Sequence, residues 1–238
     1  MIPSTRVVTI AIASIAIGCA PALSSFSGAR TTPEGRGDVA IGASARAPLG
    51  DLARPTDQAL LGLTSPGGIA PAGFFRLGVA RQWDLGVLVA GTTGRLELRA
   101  SHRLSGVARF IGGVSGYGGG VLRDDDPEGH GDGFRAGALV PLVLALDLGG
   151  VFEAWGGVRL GYEHVSGSVH PVPAIVMSGE ADAFRGGVVV GLAIGFIHVH
   201  ALVELAVDYE YWRGQLGGAA FERQGIALVP GFAIRARF

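Results

Sequence analysis

The segment HALVELAVDYEYW, His200–Trp212, alternates between two kinds of side chain over its whole length. One face carries Ala, Val and Leu and ends in two tyrosines, and the other carries Glu204, Asp208 and Glu210. Because successive side chains of a β-strand leave opposite faces, this pattern predicts a strand with one apolar and one acidic face. The fold must therefore provide a polar environment on one side of the sheet and an apolar environment on the other.

The same alternation recurs from Asp38 to the end of the chain and predicts ten strands. The predicted strands are 38–46, 73–81, 83–90, 95–101, 106–114, 134–147, 151–165, 184–197, 200–212 and 226–238.

The connections between these strands alternate in length. Short connections are predicted near 82, 102–105, 148–150 and 198–199. The connections at the opposite end of the barrel are predicted to be long, near 47–72, 115–133, 166–183 and 213–225. One connection at that end, GTTG at 91–94, is short. Short turns on one side and long loops on the other are typical of outer-membrane barrels. We therefore predict that 38–238 forms an all-β, antiparallel, transmembrane up-and-down barrel of about ten strands (8–12), with both termini on the periplasmic side.

Charged side chains fall on a single face of each predicted strand. Assigning that face to the barrel interior predicts a lumen charge network. Its members are Arg76, Arg95, Glu97, Arg99, Arg109, Arg135, Asp147, Glu153, Arg159, Glu163, Glu204, Asp208, Glu210, Arg235 and Arg237, with Asp38, Arg46 and Asp84 on the same face. The eighth predicted strand places only small residues inward, among them Gly187 and Gly191, and these could leave a slot beside the wall.

Two interpretations of the network remain open. A barrel of about eight strands has room for little more than its side chains, and ten strands add little, so acids and arginines that pair would fill the lumen. The same charges could instead line a channel. A soluble periplasmic β-sandwich or lipocalin-like barrel is a further alternative, in which the apolar face would be the core.

Composition excludes several other classes. The net charge is −1 and no Lys is present among the 19 basic residues, so nothing indicates a nucleic-acid partner. No apolar run long enough for a helical membrane span follows the N-terminus. The 41 glycines show no Gly-X-Y period. The sequence contains no P-loop, G-x-S-x-G, H-E-x-x-H or C-x-x-C motif, and we predict no cofactor.

The N-terminus has the features of an export signal, with Arg6 followed by an apolar run over 7–17. The sequence AIGC, 16–19, resembles a bacterial lipobox, which implies a signal peptide of 1–18 and an acylated Cys19. The alternative is ordinary signal cleavage after Ala20-Pro21-Ala22. Residues 19–37 are rich in Ser, Pro, Gly and Thr and are predicted to form a flexible periplasmic tether.

The C-terminus, PGFAIRARF, places Phe232, Ile234, Ala236 and Phe238 at alternate positions. This arrangement resembles the signal that the bacterial barrel-assembly machinery reads. With RLGVARQWDLGVLV (strand, tight turn, strand), the chain resembles a small bacterial outer-membrane β-barrel protein. The resemblance implies that the chain resides in the outer membrane, with its lipid and the assembly machinery as partners.

Barrels of this kind carry many functions, so the resemblance does not define one. We expect a non-enzymatic structural or surface-binding role in the envelope, with an unspecified extracellular ligand. The alternative is a conduit for small or hydrophobic molecules.

A weaker candidate site lies in a predicted long loop. The stretch DDDPEGHGDG could bind a divalent cation through hard oxygen ligands, or could be a solvated acidic loop. Its candidate ligands are Asp124, Asp126, Glu128, His130 and Asp132. His198 and His200, two residues apart near a tight turn, show no third ligand.

The stretch YEHVSGS places His164 beside Ser166, where the His could activate the Ser while an acid such as Glu180 orients it. This is similar to the His-x-Ser motif of outer-membrane lipid A deacylases, although Gly167 stands where that family has Asn. The alternative is a polar rim at headgroup level beside Tyr162.

Overall fold

The computed structural model describes residues 24–53, 67–123, 131–172, 175–196 and 198–238. In this part of the chain ten antiparallel strands form a closed barrel in which each strand pairs with its neighbours in sequence and β1 pairs with β10. The predicted fold class is therefore confirmed. The strands are β1 Gly37–Leu49, β2 Gly68–Ala80, β3 Trp83–Ala90, β4 Thr93–Arg103, β5 Ala108–Arg123, β6 Gly131–Leu148, β7 Phe152–Val172, β8 Ile175–Gly195, β9 Val199–Leu216 and β10 Ala219–Arg237.

Gly37 and Phe238 meet at one end of the barrel, where each backbone N–H donates to the other's carbonyl at 2.9 Å. We call this the proximal end and the opposite end the distal end. The four proximal connections, after β2, β4, β6 and β8, are short, as the sequence predicts.

Three of the predicted long loops are largely strand instead. These are 115–133, 166–183 and 213–225. They are rich in Gly and polar residues and show no sustained alternation, yet their backbones continue the ladders of β5 to β10. The β9–β10 hairpin closes through Gly217 and Gly218, both at positive φ (58° and 85°), which suits a two-residue turn.

The distal end is consequently uneven. Strands β2 to β4 have 13, 8 and 11 residues, close to the 9–11 that a tilted strand needs to cross a bilayer. Strands β6 to β10 have between 18 and 21. We call β6–β10 the tall wall, because its strands continue well past the length required for crossing.

The outer surface is apolar in a band around the barrel. On β8, the side chains of Val188, Val190, Leu192 and Ile194 are all more than half exposed. A soluble protein does not leave a continuous surface of this kind uncovered, whereas a barrel in lipid requires it. Among the described residues no helix is long and apolar enough to cross a membrane.

Aromatic side chains border this band at both ends. Tyr162 and Phe184 lie at the distal border with ring centroids 5.3 Å apart, and Phe196 and Phe238 are exposed at the proximal border. Phe184 and Phe196 are 12 residues apart, which at about 3.4 Å per residue and a tilt of about 40° is about 30 Å along the axis. This spacing fits the girdles of a membrane-spanning barrel.

Residues 24–32, which we call the inner segment, lie inside the barrel, and the exposed residues 33–36 connect them to β1. Ser25, Phe26, Ser27 and Thr32 are each at most 3% exposed. The prediction of a flexible periplasmic tether is therefore wrong for these residues. Small side chains, which suit a linker, also allow an extended chain to fit a narrow polar lumen.

Candidate functional site

The predicted lumen network points into the barrel. Its buried members are Arg76, Arg95, Glu97, Arg99, Arg135, Glu153, Arg159, Glu163, Glu204, Asp208, Glu210, Arg235 and Arg237, together with Asp38, Arg46 and Asp84. Arg109 and Asp147, nearer the proximal end, are half-buried. Parity along each strand was sufficient to place these residues because one face of every strand meets the lumen.

Acids and arginines pair near the proximal end. Arg237 donates from Nε and Nη2 to the two carboxylate oxygens of Asp38 at 2.8 and 3.0 Å. Arg235 donates to Glu153 at 2.8 Å. A two-point contact between guanidinium and carboxylate is strong and directional, and it ties β10 to β1 where the barrel closes.

Glu204 binds the backbone of the inner segment. Its carboxylate accepts hydrogen bonds from the N–H groups of Ser25 (2.6 Å), Phe26 (3.0 Å) and Ser27 (3.1 Å), and from Nε1 of Trp155 at 3.1 Å. Phe26 has a φ of 44°, uncommon for a bulky residue. A residue in this conformation turns successive N–H groups towards one point and forms an anion-binding concavity, which the Glu204 carboxylate fills.

Arginines of the wall bind the carbonyls of the same segment. Arg76 donates to the oxygens of Phe26 (2.7 Å) and Ser25 (2.8 Å), and Arg99 donates to the oxygen of Ser27. Both the donors and the acceptors of this backbone are therefore satisfied by charged side chains of the barrel. Hydrogen bonds to charged side chains are stronger than those between neutral groups. They satisfy the buried backbone groups of the inner segment, which has no regular secondary structure to do so.

The inner segment stays bonded to the wall as it descends towards the proximal end. Ala29 N–H donates to Glu153 at 3.0 Å, and Thr32 N–H donates to Asp84 at 2.7 Å. The carboxylates of the lumen therefore serve two partners, the arginines of the wall and the backbone of the segment.

The slot predicted beside β8 is occupied. A Cβ at Gly191 would collide with the indole of Trp155, and one at Gly187 would collide with Asp208. The small residues of β8 accommodate larger side chains of β7 and β9. Trp155 faces inward by the same parity rule, so its size could have indicated this filling.

A second set of contacts, the distal cluster, fills the lumen towards the distal end. It consists of Arg46, Tyr117, Arg135, Glu163, Arg185, Glu210 and Trp212. Glu210 accepts hydrogen bonds from Arg46 (2.5 Å), Arg185 (3.0 Å) and Nε1 of Trp212 (2.8 Å). Glu163 accepts from Tyr117 at 2.8 Å, and Arg185 Nη1 lies 2.9 Å from the same hydroxyl.

Arg185 joins the two halves of this cluster and was missed by the sequence analysis. It is 5% exposed and contacts both Glu163 and Glu210. The residue lies inside the predicted strand 184–197 and on the same face as Gly187, so the parity of that strand was sufficient to identify it.

A short 3-10 helix, Gly50–Ala53, follows β1 at the distal end. It places Leu52, 1% exposed, in an apolar group with Trp212, Val165 and Ala183. Leu52 therefore covers the distal cluster, so the lumen is filled from the inner segment upwards to this residue.

On the outer surface, β7 and β8 carry a polar rim just beyond the distal aromatic border. Asp182 accepts a hydrogen bond from Tyr162 Oη at 2.6 Å and lies 3.0 Å from Nδ1 of His164. Ser166 and Glu180 are neighbours across the same ladder. The acid that contacts the histidine is therefore Asp182, which the sequence analysis did not name, and not Glu180.

The rim continues across the tall wall. Arg213 pairs in register with Asp182 on one side and Glu222 on the other. These residues, with Glu180, line a shallow groove of about 280 Å³ that opens outward. The groove is polar and lies above the apolar band, at the height where lipid headgroups meet a barrel.

The metal hypothesis stays a prediction. Asp124, Asp126, Glu128 and His130 lie outside the described residues, as does the side chain of Asp132. Within the described part of the chain no group of three or more His, Cys, Asp or Glu side chains could hold a metal ion.

The two histidines near the β8–β9 turn are separately engaged. Nε2 of His200 lies 2.7 Å from the Gly150 carbonyl, and Nδ1 of His198 lies 3.3 Å from the Arg237 carbonyl. Each ring thus has its own backbone partner.

The predicted assembly signal lies on the outer face of β10. Phe232, Ile234 and Phe238 are at least 48% exposed there, with Ala236 on the same face. The candidate lipidation site, Cys19, lies outside the described residues.

No protein-family model and no curated protein sequence matches the chain. The outer membrane protease OmpT from Escherichia coli is a similar solved structure, with 10% identity, 90% of this chain and 100% of that chain covered, and a TM-score of 0.44. The outer membrane protein OprG from Pseudomonas aeruginosa has 10% identity, coverages of 87% and 98%, and a TM-score of 0.40. Ail, the attachment invasion locus protein of Yersinia pestis, has 13% identity, coverages of 86% and 99%, and a TM-score of 0.34.

Proposed function

We propose that this chain is an exported bacterial outer-membrane barrel that does not conduct and that acts through its outer surface, in a structural or surface-binding role in the envelope. The observation that carries the proposal is the filled lumen. The inner segment occupies the proximal half, and the distal cluster under Leu52 occupies the other. A solute would have to displace bonded charges in both halves, which is costly in a narrow polar interior.

The tall wall supports the surface role. Its strands extend past the apolar band and carry the polar rim on their outer face. Sheet that continues beyond the bilayer exposes a rigid surface outside the cell, because its backbone groups are already paired. A ligand would bind this surface without entering the barrel.

Bilayer conductance tests the proposal. The refolded full-length mature protein in a planar bilayer should give no stable channel at neutral pH. A variant that lacks residues 24–32, shown to be folded by its heat-dependent shift on a denaturing gel, should also give no stable channel, since the distal cluster under Leu52 still fills the other half of the lumen. Steady channels from the unaltered protein would contradict the proposal and favour the conduit for small or hydrophobic molecules.

A second candidate, a lipid hydrolase at the polar rim, is favoured by the contact between His164 and Asp182. An acid that holds one ring nitrogen leaves the other free to act as a base towards a serine. The test is the lipid A profile by mass spectrometry in cells that express the protein or its Ser166→Ala variant. Ser168→Ala, on the same face of β7, is the matched control. A profile that is unchanged between Ser166→Ala and the unaltered protein removes this candidate.

A further inference from the structure

The buried charges of the lumen are not equal in number. Among the described residues nine arginines and eight acids are buried. Outside the distal cluster there are six of each. Within the distal cluster three arginines, Arg46, Arg135 and Arg185, stand beside two acids, Glu163 and Glu210. Counted on its described residues, the distal cluster therefore carries one surplus positive charge.

The charges of the distal cluster form a row in which arginines and acids alternate. Glu210 lies between Arg46 and Arg185, and its Oε1 is 3.0 Å from Nε of Arg185. Glu163 lies between Arg185 and Arg135, with its Oε1 3.1 Å from Nη2 of Arg185 and 3.4 Å from Nη1 of Arg135. Arg135 thus stands at one end of the row, where its contact with an acid is long.

Arg135 keeps an unused hydrogen-bond donor. The residue is 1% exposed, and its buried Nη2 has no hydrogen-bond partner in the part of the chain that the structure describes. Glu163 is already shared, because it also accepts from Tyr117 at 2.8 Å and from Nη1 of Arg185 at 3.2 Å. A guanidinium has donors only and stays charged, so a buried donor of this kind without an acceptor is costly.

The wall beside Arg135 is formed by glycines. Arg135 pairs in register with Gly119 of β5. The next residue on the same face of β6 is Gly133, which pairs with Gly167 of β7. Since these positions have no side chain, they leave space beside the guanidinium. Val165, the partner of Arg135 on β7, packs with Leu52, so this space lies beneath the cover of the distal cluster.

We propose that the distal cluster binds one small monovalent anion, a halide ion such as chloride, at Nη2 of Arg135. One negative charge balances the surplus and gives the buried donor its acceptor. A divalent anion would replace a positive surplus with a negative one, and a buried charge of either sign is costly when it is unpaired. The inference goes beyond the proposed function and does not depend on it, because a resident ion beneath Leu52 neither requires nor forms a channel.

The direct test is a crystal structure of the full-length mature protein grown with sodium bromide as the only halide salt. Bromide scatters X-rays anomalously, so it can be distinguished from water at the same place. The expected result is an anomalous peak within hydrogen-bond distance of Nη2 of Arg135. A water molecule or a protein group there, without an anomalous peak, overturns the proposal.

Urea unfolding in lipid vesicles tests the same site in solution, with chloride replaced by gluconate at constant ionic strength so that screening is unchanged. Above the dissociation constant, each tenfold rise in chloride should raise the equilibrium constant for folding about tenfold. Arg135→Gln leaves two arginines beside two acids and should abolish this dependence.

Arg235→Gln is the matched control, because it removes a buried guanidinium that binds Glu153 in the proximal half. This variant should be less stable and should keep the chloride dependence. Stability of the unaltered protein that does not change with chloride, or a dependence that persists in Arg135→Gln, overturns the proposal. If Arg135→Gln does not fold, the bromide structure of the unaltered protein still decides the question.

Discussion

In the proximal half of the lumen, wall carboxylates bind backbone N–H groups of the inner segment, whereas in the distal half Glu163 and Glu210 bind side chains of the wall itself. The first arrangement relies mainly on backbone groups of the segment. The second needs a particular residue on each of several strands. The comparison shows two ways to fill a ten-stranded barrel. The inner segment can be deleted without altering the strands, whereas the distal cluster consists mostly of side chains of the strands themselves.

The largest effect is expected for Glu204→Ala. It leaves three backbone N–H groups and the Trp155 indole N–H buried without their acceptor, which should lower the free energy of unfolding by about 4–5 kcal/mol. Urea unfolding in lipid vesicles measures this value. In a variant that lacks 24–32 the same substitution should cost no more than about 1 kcal/mol, since water would reach the site. Equal costs in both backgrounds would show that Glu204 does not hold the segment.

Glu210→Gln probes the distal half and should cost about 3–4 kcal/mol, because Arg46 and Arg185 lose their shared charge while they stay buried. Here deletion of 24–32 should leave the cost unchanged, since contacts of separate groups add. A cost that disappears with the segment would mean that the two halves form one unit. The same vesicle titration gives both numbers.

The third prediction compares a lipid-facing and a lumen-facing residue of β9. Leu205→Arg, which points to lipid, should cost about 2–4 kcal/mol in vesicles. Ala206→Arg, one residue on, points into the filled lumen and should reduce the folded yield by overpacking. Tolerance of both substitutions would contradict the assignment of lipid-facing and lumen-facing residues on β9.

The smallest effect is expected at the outer rim. Tyr162→Phe removes one hydrogen bond to Asp182 at an exposed position, so the midpoint of urea unfolding should not move measurably. Phe184→Leu, beneath it, is the control for lost aromatic packing. A clear destabilisation by Tyr162→Phe would mean that the rim supports the fold and is not only a surface.

Much of this could be predicted from the sequence. The alternation of apolar and polar residues identified the ten strands. The position of each charged residue in that alternation placed charges such as Arg159 and Glu210 in the lumen. Both inferences need only the geometry of a single strand. The inner segment was not predicted, since its position depends on long-range bonds between its backbone and acids 50 to 180 residues away. The length of the tall wall was missed for a related reason: beyond the apolar band neither face of a strand has to be apolar.

The most direct test of the account is a disulfide between the inner segment and the wall. Ser24 and Ser44 have hydroxyls 2.8 Å apart, and Thr31 and Ser101 have hydroxyls 2.9 Å apart. In a Cys19→Ser background, Ser24→Cys with Ser44→Cys, and separately Thr31→Cys with Ser101→Cys, should each cross-link on mild oxidation of the folded protein, with a mass lower by two hydrogens. Ser24→Cys with Ser166→Cys, on opposite sides of the wall, is the control. Cross-linking of both test pairs and not of the control is the predicted result, and two free thiols in both test pairs of a folded barrel would contradict it.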